Sequence, residues 1–118
     1  REELAKAADA LLKFDVDATF AMGKIDDNTI SISARGSNTV DVGAIMRELD
    51  GGGNHHAAAT KINSNDLKET EKSLIKIIKP KYYMNEKEEQ YHCLLLKLQN
   101  FYHHTCNHNI SKKYDYLN

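Results

Sequence analysis

Apolar residues recur along this chain with two different periods. Leu4, Ala8, Leu11 and Leu12 fall at helical spacing and predict a helix over residues 2–13. Glu2 and Glu3 stand in its first turn, where the helix dipole favours negative charge. Residues 18–25 carry small and apolar side chains at successive positions, which predicts a strand buried on both faces. Asp26-Asp27-Asn28 is a turn signal. From Thr29 to Arg35 the pattern alternates: Ile30, Ile32 and Ala34 share one face, and Ser31, Ser33 and Arg35 the other. The two stretches together predict an antiparallel hairpin.

Asp41 is a good N-cap for the next segment. Val42, Ile45, Met46 and Leu49 then follow the i, i+3, i+4, i+7 pattern of a core-facing helix. That helix runs into Gly51-Gly52-Gly53. Residues 57–62 predict a third, buried strand. Asp66 and Glu69 have capping-box spacing ahead of a stripe made by Leu67, Thr70, Leu74, Ile77 and Ile78. Pro80 is expected to end that helix. The expected order is α-β-β-α-β-α, an α+β (α/β) fold with a small mixed sheet and flanking helices.

After Pro80 the composition turns to Tyr, His, Asn and Lys. Tyr91, Leu94, Leu95, Leu98 and Tyr102 still fit one helical face, so a C-terminal tail helix is expected within residues 86–104. Residues 1–79 are thus expected to form the folded domain, and 80–118 an extension dispensable for its fold. The extension's apolar face must be covered, by the core or by a second copy in a homodimer.

The totals narrow the picture. At 118 residues one domain is expected. A formal net charge of -1 gives no global basic field, so any phosphate binding must be local. No apolar run is long enough for a membrane-spanning helix. The start, Arg1-Glu2-Glu3-Leu4, has no signal-peptide character and reads like the middle of a longer product. Two cysteines, Cys93 and Cys106, argue for a reducing, cytoplasmic setting over a disulfide framework. His92, Cys93, His103, His104, Cys106 and His108 are residue types that zinc prefers, but they lack CxxC or finger spacing, and no metal site is assigned.

The candidate chemistry lies in Gly51-Gly52-Gly53-Asn54-His55-His56-Ala57-Ala58-Ala59-Thr60. Glycines cost backbone entropy and are placed where the chain bends or something approaches closely. Histidines beside free amides can meet a phosphate. The alternative is a helix C-cap at Gly51 followed by a tight turn. Arg35, at the polar end of a strand, is the side chain best suited to bidentate phosphate contact, although strand-end arginines are more often simply solvated.

Taken together, residues 30–35, residues 40–46 and the Gly51–Thr60 run resemble the DHH-associated domain of DHH-family phosphoesterases. The family pairs an S-x-R-S strand end with a short helix start and a GGGH-x-x-A-A loop. Ala58-Ala59-Thr60 is most like the GdpP-type bacterial cyclic-di-AMP phosphodiesterases. The resemblance covers about residues 4–79. It implies that Arg35, Ser37 and the loop Gly51, Gly52, Gly53, Asn54, His55 and His56 bind substrate, with no catalytic residue and no metal ligand here. A DHH domain of the same chain, absent from this sequence, would hold manganese and hydrolyse a cyclic dinucleotide to a linear one. The resemblance also implies a cytoplasmic domain, with a parent anchored in the membrane by a region upstream. Two departures stand out. Asn54 occupies either the family histidine or the third glycine, which leaves His55 or His56 as the functional histidine. Gly36 replaces the serine after the arginine, and Ser37 is the nearest hydroxyl. The alternative function is a nucleic-acid-binding module of the exonuclease, oligoribonuclease or tRNA synthetase type.

Overall fold

The computed structural model describes residues 2–82, 92–99 and 109–115. Helix α1 (Glu2–Leu11) continues as a 3-10 turn (Leu12–Phe14) that ends at Asp15 in the left-handed conformation, φ 61°. Strands β1 (Ala18–Asp26) and β2 (Thr29–Gly36) form the expected hairpin. Helix α2 (Val42–Arg47) follows, capped by the Asp41 carboxylate, which accepts from Ala44 N at 3.1 Å. Then come β3 (Gly52–Gly53), β4 (Ala57–Asn63), α3 (Leu67–Tyr82), β5 (Cys93–Gln99) and β6 (Asn109–Asp115).

The strands make one mixed sheet in the order β3-β4-β2-β1-β5-β6. Helices cover both of its faces, as the α+β reading expects. On one face, Phe20, Met22, Ile30, Ile32 and Ala34 pack with Val42, Ile45, Met46, Leu74 and Ile78 of α2 and α3. On the other, Ala21, Leu94, Leu96 and Leu98 pack with Leu4, Ala8 and Leu11 of α1. Thr19, buried beneath α1, donates its hydroxyl to Ala8 O at 2.7 Å. The pairing leaves no buried hydroxyl unmatched at that point.

Four expectations need correction. The first is the tail helix: residues 93–99 form strand β5, parallel to β1 with Phe20 opposite Leu95. Leu94, Leu95 and Leu98 satisfy a helical period, but Cys93-Leu94-Leu95-Leu96 is also a continuous apolar run. Such a run fits a strand buried on both faces, and β1 needs a neighbour on its second edge. The apolar face is thus covered by the core: Leu95 is 1% exposed and Leu98 6%. The rest of 86–104, Tyr91 and Tyr102 included, lies outside the described residues, as do His103, His104, Cys106 and His108. Strand β5 shares the core of β1, which argues against the expected dispensability of the extension.

The second correction is to Pro80. Helix α3 runs past it to Tyr82. Proline removes its own N–H and crowds the turn before it, but later residues can still bond backwards. Lys81 fixes this last turn by donating to Glu48 Oε2 of the α2 end at 2.8 Å. Third, β4 is exposed on alternate residues, so it is not fully buried. Fourth, β3, β5 and β6 were absent from the expected order. Two glycines carry no side-chain pattern from which a strand can be read.

Candidate functional site

The glycine run leaves α2 through a left-handed residue, and that residue is Asp50 (φ 64°). Gly51 N donates to Met46 O at 2.8 Å and Asp50 N to Arg47 O at 3.1 Å. These are the two bonds of a Schellman C-cap. The helix does end in a C-cap here, with Asp50 rather than Gly51 as the left-handed residue.

Each glycine has its own reason. A Cβ on Gly51 would lie 2.3 Å from Ala59 O and 2.4 Å from Thr60 Cβ, so β4 forbids a side chain there. Gly53 has φ +136° and its Cβ would meet Ala58 Cα at 2.4 Å. Gly43 of α2 lets Asn54 O come within 2.7 Å of where its Cβ would be. Gly52 differs: among the described residues nothing lies within 4 Å of its Cβ position, and its φ is not in the left-handed region.

Beyond Gly53 the chain turns tightly. Asn54 Oδ1 accepts from His56 N at 2.8 Å and from Ala57 N at 2.9 Å, and Asn54 N donates to Ala57 O at 2.8 Å. The amides of Asn54, His56 and Ala57 are thus occupied inside the loop and that of Gly51 by Met46 O of α2, so the amide cradle is narrower than the sequence suggested. Two carbonyls tie the loop to the β2–α2 connection: His56 O accepts from Gly36 N at 2.9 Å, and His55 O from Val42 N at 3.1 Å. His56 Nδ1 lies 3.1 Å from Gly36 O, which requires the proton on Nδ1.

His55 is in a different position from His56. Its ring is 4.8 Å from that of His56, and its Nδ1 is 3.7 Å from Asp41 Oδ2. Its Nε2 is enclosed without a hydrogen-bond partner among the described residues. An enclosed polar atom in that state costs about 1–3 kcal/mol until something satisfies it. The Asp41 carboxyl is held below its usual range, first by the hydrogen bond from Ala44 N and then by the nearby His55.

Pairing of β2 with β4 puts Arg35 opposite Ala57, and pairing of β3 with β4 puts Gly52 opposite Ala59. Opposite residues share a face, so Arg35, Ala57, Ala59 and Gly52 all present to the α1 side of the sheet. From strand spacing and rise, Arg35 and Gly52 are about 12 Å apart, backbone to backbone. Arg35 Nε donates to Asp9 Oδ1 of α1 at 2.7 Å, and its Nη1 to Ala34 O at 2.9 Å. A guanidinium has five donors, so these two bonds leave three. Ser37 is otherwise engaged: its hydroxyl pairs with Thr39 Oγ1 at 2.9 Å and its amide donates to Asp17 O. The sheet therefore brings Arg35 and Gly52 onto one face, while Ser37 is held in its own turn.

Sequence reading missed Asp9 and the second role of Asp41. Asp9 is 26 residues from Arg35, so no local pattern links them. Asp41 was legible as a cap, and its approach to His55 depends on the folding back of the loop.

The family model for the DHHA1 domain matches residues 1–80. This chain belongs to the DHHA1 domain family. The DHHA1 chain is 39% identical over 88 residues to a membrane protein-large ribosomal subunit bL9 fusion protein of Aster yellows witches'-broom phytoplasma, covering 74% of this chain and 10% of that protein. It is 42% identical over 67 residues to the cyclic-di-AMP phosphodiesterase GdpP of Bacillus subtilis, covering 56% of this chain and 10% of the relative. To the cyclic-di-AMP phosphodiesterase PdeA of Listeria monocytogenes it is 40% identical over 75 residues, 63% of this chain and 11% of that one. The chain spans about a tenth of the length of the curated relatives it matches. It is an accessory domain of the DHH phosphoesterase family.

Proposed function

We propose that this domain is the nucleotide-binding half of a phosphodiesterase that hydrolyses cyclic-di-AMP to a linear dinucleotide. The carrying observation is Gly52. The fold gives it open space and an ordinary backbone conformation, so nothing among the described residues requires a glycine there. What a glycine does at such a place is let a ligand approach the backbone. Arg35 on the same face supplies charge, and the unpartnered His55 Nε2 is a group that a ligand or a small loop movement would satisfy.

The manganese of the proposed parent would be held by a DHH domain of the same polypeptide, against which this domain would close; the DHHA1 match supports that pairing. The words membrane protein in the name of one relative support a membrane-anchored parent.

The test is titration of cyclic-di-AMP and of its linear product into the 118-residue chain, followed by amide chemical shifts. Shifts should cluster at residue 35 and at 51–56. Losing a charge-assisted hydrogen bond costs about 1.5–3 kcal/mol, so Arg35→Ala should weaken binding about tenfold or more. Gly52→Val should do similar damage without removing charge. Unchanged affinity in both variants, with shifts elsewhere, overturns the reading.

A further inference from the structure

Among the described residues, α1 does not cover its face of the sheet as far as the β3 edge. Between α1 and that edge lies a groove of about 260 Å³ lined by Ser31, Ser33, Ala59, Thr60 and Lys61. Ser31 stands opposite Lys61, and Ser33 opposite Ala59. Small side chains leave the floor low. Ser31 and Ser33 are 3% and 6% exposed, and no hydrogen bond ties either hydroxyl to another described residue. What exposure they keep is to the groove they line, where two hydroxyls beside the same lysine can donate to an acceptor. Lys61 is exposed and makes no ion pair with the described residues, although its charge is felt at Asp26.

We propose that Ser31, Ser33 and Lys61 form a second anion subsite, which takes a phosphate of the same nucleotide ligand whose other phosphate meets Arg35. This rests on the nucleotide-binding reading above. Register sets the geometry: Arg35 opposes Ala57, four positions along β4 from Lys61, so the two residues stand about 14 Å apart, backbone to backbone, on one face. That separation lets them contact different phosphates of one ligand, with the intervening sugar and base over Ala57, Ala59 and Ser33. The subsite is chemically suited to phosphate: an ammonium for charge and two hydroxyls as neutral donors. At about 260 Å³ the groove is just below the roughly 300–1,000 Å³ usual for whole small-molecule ligands, which suits one nucleotide unit of a larger ligand.

The test compares the linear dinucleotide pApA, with a terminal and a bridging phosphate, against ApA, which has only the bridging one. Wild-type chain should prefer pApA. Lys61→Gln should weaken pApA roughly three- to tenfold, leave ApA unchanged, and lower the slope of log affinity against log salt by about one. Ser31→Ala should reduce the same preference without altering charge, and shifts on adding pApA should include residues 31, 33, 59 and 61. If Lys61→Gln leaves the pApA-to-ApA ratio untouched while Arg35→Ala weakens both ligands, the subsite is overturned and the nucleotide-binding reading stands. If Arg35→Ala and Gly52→Val change neither ligand's affinity, the reading itself falls, and this inference with it.

Discussion

Arg35 on β2 is bridged to Asp9 on α1, Nε to Oδ1, at 2.7 Å. The arginine side chain is 19% exposed and the aspartate side chain 60%. A strand-end arginine is thereby fixed in place instead of being left in solvent, and one edge of its guanidinium is occupied. The carboxylate also offsets part of the charge that a phosphate would feel. Partly exposed pairs are worth about 0–1 kcal/mol. Removing the Asp9 charge should therefore affect binding more visibly than stability.

The expected outcome for Asp9→Asn is tighter binding of linear diadenylate, by up to about fivefold, with thermal stability lowered by about 1 kcal/mol or less. Calorimetric titration and a melting curve check the two halves. Weaker binding would instead make Asp9 a residue that positions Arg35.

Much of the sheet was legible in the sequence because its rules are local. Alternation at Ile30, Ile32 and Ala34 showed which face of β2 enters the core, and the structure buries all three. Asp41 announced α2 by its side chain, and the cap is present. The remainder required long-range information. Leu94, Leu95 and Leu98 fit two periods, and only the open edge of β1 chooses between them. At the site, the resemblance pointed to Arg35 and the loop, but no local rule shows that Ser37 bonds Thr39 or that Asn54 consumes two of the loop's amides. Those bonds depend on how the segments fold back on one another.

The incorporation of β5 has a direct consequence for stability. Leu95 is 1% exposed opposite Phe20, and Lys97 reaches α3, where its Nζ donates to Glu71 Oε1 at 2.7 Å. Leu95→Ala should cost about 2–5 kcal/mol in urea denaturation. A chain ending at Tyr82 should lose its cooperative thermal transition, because β1 becomes an edge strand with one core face stripped. A sharp transition in that truncated chain would show that residues 2–82 form a core without β5.

Acid sensitivity should trace partly to Asp41 and Asp26. Both carboxyls are held below the ordinary aspartate value in the folded chain, each chiefly through a backbone hydrogen bond: from Ala44 to Asp41, and from Asn28 to Asp26. A lowered folded-state pKa means that the unfolded state binds protons more readily. The stabilisation is therefore present above about 3.8 and is lost as pH falls through the lower folded values. Asparagine also caps helices well. Asp41→Asn should thus resemble wild type at neutral pH and show a shallower loss of stability below pH 4, measured by urea titrations across that range.

The sharpest contrast lies within the glycine run. Gly51 and Gly52 are neighbours of identical chemistry, but the fold treats them in opposite ways. A methyl group on Gly51 would be driven against Ala59 O at 2.3 Å and Thr60 Cβ at 2.4 Å, backbone and core-facing atoms that cannot yield cheaply. Overpacking of that kind costs about 1–3 kcal/mol. The same methyl on Gly52 would meet nothing within 4 Å among the described residues. There the loss of unfolded-state freedom should make the variant neutral or more stable by about 0.4–1 kcal/mol. Binding should not follow stability. Gly52→Ala should weaken cyclic-di-AMP binding in a domain that melts at or above the wild-type temperature, whereas Gly51→Ala should lower the melting temperature first. Melting curves and ligand titrations on the two variants settle the matter. A Gly52→Ala chain that is as stable as wild type and binds equally well would mean that no ligand needs close approach to this backbone.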